Sequence, residues 1–302
     1  MLEARAFEPD FLRRLDGLML GVQRARTVRA GRRTLGRVQG LGIEPENFRE
    51  YTEGDDLRFL DWNAFARLDE LMIRTFRAER EVEVTILVDA SASMGVPAGD
   101  DKLGLALGLG AALAYVAMAS NDAVRLGIFT ATRMGGTRLH NSPFHRRREL
   151  YPAFRPFVTG VRCGGETRMA DAVGRLLLER RGGGVAILIS DFLVSAGEYQ
   201  QALDRLLAAR HEVKVVHVLG EREANGDYPP GSYRLRDSES GEICEVAIGP
   251  AAAQACRRRA ERLSSELAQY CANHGVIYSR AFGAAHFEEI IMREFPRLGV
   301  MR

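Results

Sequence analysis

The chain is short of lysine and cysteine, and it carries no large excess of either charge. Of its 42 basic residues only Lys102 and Lys214 are lysine, and the formal net charge of the 302 residues is +2. We attribute the arginine excess to genomic base composition. A net charge so close to zero gives no global signal for binding a polyanion. The hydrophobic content of 46% and the charged content of 27% are those of an ordinary globular protein.

The few cysteines are predicted to be free thiols. They form no C-x-x-C pair and lie too far apart in sequence for a compact zinc site. No N-terminal stretch has the charged, apolar and small-residue order of a secretory signal. We therefore expect a protein of the reducing cytoplasm. The residues concerned are Cys163, Cys244, Cys256 and Cys271.

One uncharged segment, Leu103 to Asn121, is long enough to be considered as a membrane span. Glycine and alanine dilute its hydrophobicity, and a bilayer at this point would separate the apolar runs 82–88 and 124–130. An apolar surface on all sides is also typical of a helix buried in a large core. We therefore predict an internal helix and no membrane partner.

The remaining patterns alternate between strands and helices, which predicts an α/β fold with a doubly wound, mostly parallel sheet. Two short runs around a turn-rich connection at 237–242 predict a hairpin insertion. A further strand at 71–81 is expected to lead into the sheet. The predicted strands are 82–88, 124–130, 185–190, 213–218 and 276–281. The predicted helices are 102–119, 168–180, 198–209, 251–273 and 286–294.

Several oxygen-bearing side chains follow two of the predicted strands. Asp89, Ser91 and Ser93 leave the apolar run that ends at Val88, and Asp191 follows the run 185–190. Thr167 comes after a Gly-Gly-Glu loop that can bring its backbone close. Such loops bind ligands in open parallel sheets where the strand order reverses. Oxygen ligands suit a hard cation such as Mg²⁺, with Mn²⁺ as the other candidate. An alternative for the serines is helix N-capping, but capping explains only one hydroxyl.

This spacing resembles the metal-ion-dependent adhesion site of von Willebrand factor A domains, which have a Rossmann-like fold. The resemblance assigns Asp89, Ser91, Ser93, Thr167 and Asp191 to the metal. It also implies that an acidic residue of a protein partner completes the coordination. Hydroxyl ligands leave the ion's charge poorly neutralised, so that an incoming carboxylate gains a charge-assisted contact.

A second motif resembles the hallmark of the bacterial domain of unknown function 58 family. It runs from Arg49 to Arg67 and mixes charged residues with the aromatics Tyr51, Phe59, Trp62 and Phe65. It departs from the family at Leu68, where threonine is usual. The resemblance implies a family-specific segment, residues 1–80, before an A-like domain, residues 81–302. We expect that segment to be a clamp on the core with Trp62 buried; a partner-docking surface is the alternative.

The resemblance implies a non-enzymatic adaptor that acts with a MoxR-type AAA+ ATPase in protein remodelling or maturation. The sequence contains no ATPase, zinc-protease or dinucleotide motif. A magnesium-dependent hydrolase or phosphatase remains an alternative, although a general acid is missing where Ser91 stands, and the G-x-S-x-G elbow is absent. The other alternative is a nucleic-acid-binding module that uses the arginine-rich stretch Arg24–Arg37. We expect no catalytic residues and no nucleic-acid partner.

Overall fold

The computed structural model describes residues 2–21, 47–53, 57, 60–75, 82–131, 136–166, 168–179, 182–238 and 241–301. The chain divides into two compact units. The sheet unit comprises Met1–Ala25 and Glu81–Arg302, and the small unit comprises Arg26–Arg80. The boundary between residues 80 and 81 lies where the sequence predicts a domain boundary, whereas the first 25 residues group with the sheet. Packing of the family-specific segment on the core stays a prediction.

Strands and helices alternate through most of the sheet unit. In the described residues the strands are β1 Asn47–Glu50, β2 Met72–Thr75, β3 Glu83–Asp89, β4 Ala123–Ala131, β5 Thr137–Asn141, β6 Val185–Ser190, β7 Glu212–Leu219, β8 Gly231–Arg236, β9 Ile243–Ile248 and β10 Ile277–Phe282. The α-helices are α1 Leu2–Arg5, α2 Pro9–Leu15, α3 Trp62–Leu68, α4 Lys102–Ala119, α5 Arg155–Val158, α6 Met169–Glu179, α7 Ala196–Ala208, α8 Glu221–Asn225, α9 Pro250–Asn273, α10 Phe287–Glu289 and α11 Phe295–Arg297. The described residues also form 3₁₀ helices at Ala92–Gly95, Arg148–Phe154 and Ala284–His286, and a π-helix at Ile290–Glu294.

Six strands form the central sheet in the order β10-β7-β6-β3-β4-β5. All neighbours are parallel except β5, which pairs antiparallel with β4 at the edge. The chain goes from β3 to β4 on one side and later to β6 on the other, so the strand order reverses between β3 and β6. The predicted doubly wound, mostly parallel α/β fold is confirmed. The predicted hairpin insertion is formed by β8 and β9.

Helix α4 lies inside the sheet unit, and all its residues except Leu103 and Ala119 are buried. Its glycines allow close packing: a Cβ at Gly108 would stand 2.9 Å from the Phe287 ring, and one at Gly110 would stand 3.1 Å from a Val88 methyl group. In the described part of the chain, α4 is the helix long and apolar enough to cross a membrane, and 89% of that window is buried in the fold. The predicted internal helix is confirmed.

The small unit contains an antiparallel pair, β1 and β2, with α3 between them in sequence. The Asp61 carboxylate caps α3 by accepting bonds from the backbone N–H of Asn63 (2.9 Å) and Ala64 (3.1 Å). The strand expected at 71–81 is found at Met72–Thr75, but the expectation that it joins the central sheet is wrong, because β2 pairs with β1; residues 76–81 lie outside the described residues. The prediction of a buried Trp62 is also wrong. Trp62 is 64% exposed, and α3 contains no buried residue.

Candidate metal centre

The predicted oxygen-bearing residues meet where the strand order reverses. Asp89 is the last residue of β3, and Asp191 directly follows β6. These strands are hydrogen-bonded neighbours, with Val88 beside Ile189, so both carboxylates emerge at one edge of the sheet. Asp89, Ser91 and Asp191 are fully buried, and Ser93 is 5% exposed. The structure thus brings four of the five predicted residues together; the fifth, Thr167, lies outside the described residues.

Hydrogen bonds connect the side chains of Ser91, Ser93 and Asp191, and the Ser91 backbone holds Asp89 beside them. The Oγ atoms of Ser91 and Ser93 are 3.0 Å apart, and Ser93 Oγ donates to Asp191 Oδ1 at 3.2 Å. Asp89 Oδ1 accepts from the Ser91 backbone N–H at 2.8 Å, and its Oδ2 accepts from Ser190 Oγ at 2.6 Å. The arrangement is a compact group of buried oxygen atoms.

The serines do not serve as helix caps. Ser91 stands at the N-cap position of the turn Ala92–Gly95 but makes no side-chain capping bond. Its hydroxyl is directed to Ser93 instead. Simple capping therefore does not account for the pair of hydroxyls.

A loop from another part of the chain lies against the serine loop. Gly164 N–H donates to Ala90 O, and Ala92 N–H donates to Gly165 O, each at 3.0 Å. Gly165 has a φ of +70°, a conformation that favours glycine. The sequence predicted that this glycine-containing loop brings its backbone close, and the structure agrees.

The site contains a cation that the sequence analysis missed. Lys102, the first residue of α4, is 1% exposed. Its Nζ donates to Asp191 Oδ2 at 2.8 Å and to Glu223 Oε2 at 2.9 Å. Burial alone would lower the pKa of Lys102, but the two carboxylates outweigh it and raise that pKa above its ordinary value. The available signal was a lone charge, one of only two lysines, at the start of an otherwise uncharged helix.

The pKa values of two buried carboxyl groups, Asp89 and Glu223, are raised. Burial, together with the charge of Asp191, raises the pKa of Asp89 to about 7. Burial also raises the pKa of Glu223, against the opposing effect of Lys102. Raised carboxyl pKa values are expected when charged forms lie close together away from water.

Helix α8, which carries Glu223, is fixed by a second carboxylate. Asp100 Oδ2 accepts from the backbone N–H groups of Arg222 (3.1 Å) and Glu223 (3.4 Å). A Cβ at Gly220 would stand 2.0 Å from the same oxygen, so this close approach requires glycine. The loop before α4 thereby holds α8 beside the oxygen group.

The donor set fits a small hard cation. Octahedral Mg²⁺ with ligands at about 2.1 Å has neighbouring oxygens about 3.0 Å apart, close to the distances of 3.0 Å between the Oγ atoms of Ser91 and Ser93 and 3.2 Å between Ser93 Oγ and Asp191 Oδ1. Among the described residues there is no group of three or more His, Cys, Asp or Glu side chains placed to hold a metal. An ion here would therefore need the serine hydroxyls.

A cavity of about 1000 Å³ lies next to this site, beside α9. Glu223 lines it and also contacts Lys102. Leu193, whose N–H donates to Asp191 Oδ1 at 3.2 Å, lines it as well. The oxygen group and the cavity therefore share a wall.

This chain is similar to proteins known from their sequences and from their structures. An uncharacterised protein of Mycobacterium tuberculosis is 33% identical over 251 residues, which is 82% of this chain and 73% of that protein. An aerotolerance-related membrane protein from Bacteroides fragilis matches in structure with a TM-score of 0.38 and 16% identity, over 72% of this chain and 99% of that one. A von Willebrand factor type A structure from Catenulispora acidiphila matches with a TM-score of 0.36 and 13% identity, over 75% and 43%.

The predicted cytoplasmic location is contradicted, because the Bacteroides fragilis structure is described as that of a membrane protein. That prediction rested on the predicted free thiols and on the missing pattern of a secretory signal. A domain attached to a membrane can share both properties. We therefore withdraw the cytoplasmic assignment.

The predicted resemblance is confirmed at the level of the family. The chain belongs to the family described as Protein of unknown function DUF58, whose model matches residues 47–267.

Proposed function

We propose that this protein is a non-enzymatic, metal-dependent interaction domain that acts with a MoxR-type AAA+ ATPase in protein remodelling or maturation. The observation that carries the proposal is the group of buried oxygens from Asp89, Ser91, Ser93 and Asp191 at the carboxyl edge of the sheet. Ligand sites of open α/β sheets lie at this edge. The ATPase partner follows from the family resemblance.

The residues of this chain would have different roles in holding the metal ion. Ser91 and Ser93 would supply neutral ligands, whereas Asp89 and Asp191 would supply negative charge, directly or through water. A bound Mg²⁺ or Mn²⁺ would supply an open coordination position for a carboxylate oxygen of the partner. Thr167 keeps its predicted role as a further ligand.

The geometry is unfavourable for the hydrolase alternative. Asp89 would be the nucleophile of such an enzyme, but it is fully buried and both of its oxygens accept hydrogen bonds, from Ser91 N–H and Ser190 Oγ. The residue two positions on is Ser91, whose hydroxyl cannot replace a carboxylic acid as a proton donor at neutral pH. We therefore retain the interaction function.

Metal binding is tested by calorimetric titration with MgCl₂ and MnCl₂. The wild type should bind one ion, and a double variant Ser91→Ala with Ser93→Ala should lose binding because two ligands are removed. Ser195→Ala is the matched control, since this exposed serine also precedes a helix without making a side-chain capping bond. Equal binding by all three proteins would contradict the metal site.

The partner is tested with a purified MoxR-type ATPase from the same source as this chain. Binding to the wild type should disappear with a chelator and with the double serine variant, and survive in the Ser195→Ala control. Replacement of one partner carboxylate should weaken the complex by about 2–5 kcal/mol if that contact is desolvated. A complex that persists under chelation would show that the metal is not part of the interface.

A further inference from the structure

Lys102 joins the oxygen group to the wall of the neighbouring cavity. Its ammonium lies between Asp191 Oδ2 (2.8 Å) and Glu223 Oε2 (2.9 Å). The lysine side chain is 1% exposed and the Glu223 side chain 18% exposed. Charges so far from water interact strongly, because solvent does not screen them. Lys102 therefore contributes to the electrostatics of the whole oxygen group.

The charges of this cluster do not balance. Asp89, Asp191 and Glu223 supply three carboxylates, and Lys102 supplies one ammonium. Two negative charges are left uncompensated when all the carboxylates are ionised. Buried charges are stable only when paired. An ion of charge +2 would bring the net charge of the cluster to zero. An ion of charge +1 would leave one negative charge uncompensated, and an ion of charge +3 would leave one positive charge in excess.

One further carboxylate nearby does not change this comparison. Asp100 is 7% exposed, and it accepts hydrogen bonds from the backbone N–H groups of Arg222 and Glu223 at the start of α8. These amides are a local compensation for its charge. Asp100 would contribute equally in every variant considered below.

We propose that Lys102 is the residue that sets the charge of the ion accepted by this site, by supplying one fixed positive charge to three buried carboxylates. The inference rests on the proposed metal site and deepens it. Lys102 is a specificity-determining residue and not a ligand, because its ammonium has no lone pair to donate. The preference for a divalent ion is thus built into α4 and α8 as well as into the serine loop.

The test compares the affinities for Mn²⁺ and Tb³⁺, two ions that both accept oxygen ligands, by titration calorimetry. Lys102→Met removes the ammonium and keeps much of the side-chain length. Glu223→Gln removes one carboxylate with almost no change in shape. The double variant removes one charge of each sign and returns the cluster to its original net charge. Circular dichroism verifies that each protein is folded.

Lys102→Met should shift the Tb³⁺-to-Mn²⁺ affinity ratio towards Tb³⁺ by about tenfold or more, and Glu223→Gln should shift it in the opposite direction. The double variant should return to the wild-type ratio. If Lys102→Met fails to fold, the shift in Glu223→Gln and its reversal in the double variant still test the proposal.

Ratios equal to within about twofold in all folded variants would overturn the role of Lys102 and leave the metal site standing. If the wild type and every folded variant bind neither ion, the metal site itself is wrong and the inference falls with it. The two failures are therefore distinguishable.

Discussion

Replacing Gly220 with alanine should displace Asp100 and loosen the helix that carries Glu223. The new Cβ would stand 2.0 Å from Asp100 Oδ2 and 2.7 Å from its Cγ, distances that no real contact tolerates. The carboxylate must move and leave the N–H groups of Arg222 and Glu223, which it now accepts from. Loss of a cap costs about 1 kcal/mol, and an unsatisfied buried group adds about 1–3 kcal/mol. We expect Gly220→Ala to lower the free energy of unfolding by about 2–4 kcal/mol.

A double-mutant cycle separates this clash from a general intolerance of alanine. Asp100→Ala alone should cost about 1–2 kcal/mol, because it removes the cap. In the double variant the contacts of the new Cβ with Asp100 Oδ2 and Cγ no longer exist, and only a contact of 2.8 Å with the Cβ of residue 100 is left to be relieved by a small shift. Gly220 has a φ of −74°, which alanine adopts without strain. The double variant should therefore be nearly as stable as Asp100→Ala, so that the coupling approaches the whole cost of Gly220→Ala, about 2–4 kcal/mol.

Urea unfolding followed by far-UV circular dichroism measures all four proteins at one pH. Gly197→Ala is the matched control, because a Cβ there meets nothing within 4 Å and the residue lies in α7. That change should stabilise the protein by up to about 1 kcal/mol. Strict additivity of Gly220→Ala and Asp100→Ala would refute the reasoning.

Three further predictions concern the core, a histidine and the thiols. Leu109→Ala in α4 should cost about 2–5 kcal/mol in urea unfolding, whereas Leu178→Ala, at a residue 84% exposed, should cost little; equal costs would contradict an internal α4. Burial, with a nearby arginine, lowers the pKa of His211 below 6.5. The neutral imidazole should therefore contribute fully to the free energy of unfolding above pH 6.5, and this contribution should be lost as the pH falls. His211→Asn should make the free energy of unfolding depend less on pH between pH 7 and 5. Burial raises the pKa of Cys271 to about 12, so a thiol reagent at pH 8 followed by mass spectrometry should label exposed Cys256 first and Cys271 only after unfolding.

The central strands could be predicted because they are buried on both faces. Every residue of Val185–Ser190 is buried, and the run 82–88 leads to Asp89 through almost uninterrupted apolar residues. The edge strand Thr137–Asn141 could not be predicted, because only one side of it faces the core and its sequence is mostly polar. Helix α8 has five residues, too few for a helical period to be visible.

The hallmark motif led to the wrong prediction that Trp62 is buried. Aromatic residues predict burial only on average, and Trp62 and Phe65 instead contact each other edge to face, with ring centroids 6.4 Å apart, on a helix without buried residues. Trp62 is 64% exposed despite its size. A large side chain in a charged segment indicates a potential contact surface, but the sequence does not say whether the chain itself covers that surface.

The two lysines show where composition ceases to be a sufficient explanation. Base composition can explain why lysine is rare, but not why Lys102 and Lys214 are both almost completely buried. Lys214 donates to the carbonyl oxygens of Gly21 and Gly299, as Lys102 donates to two carboxylates. An ammonium is a compact charge on a flexible stem, whereas a guanidinium is a wide planar fork. In both places several oxygens converge on one buried point, a geometry that suits the ammonium. In an arginine-rich chain, the position of a lysine is therefore more informative than the low number of lysines: Lys102 follows the Asp-x-Ser-x-Ser loop and begins an otherwise uncharged helix.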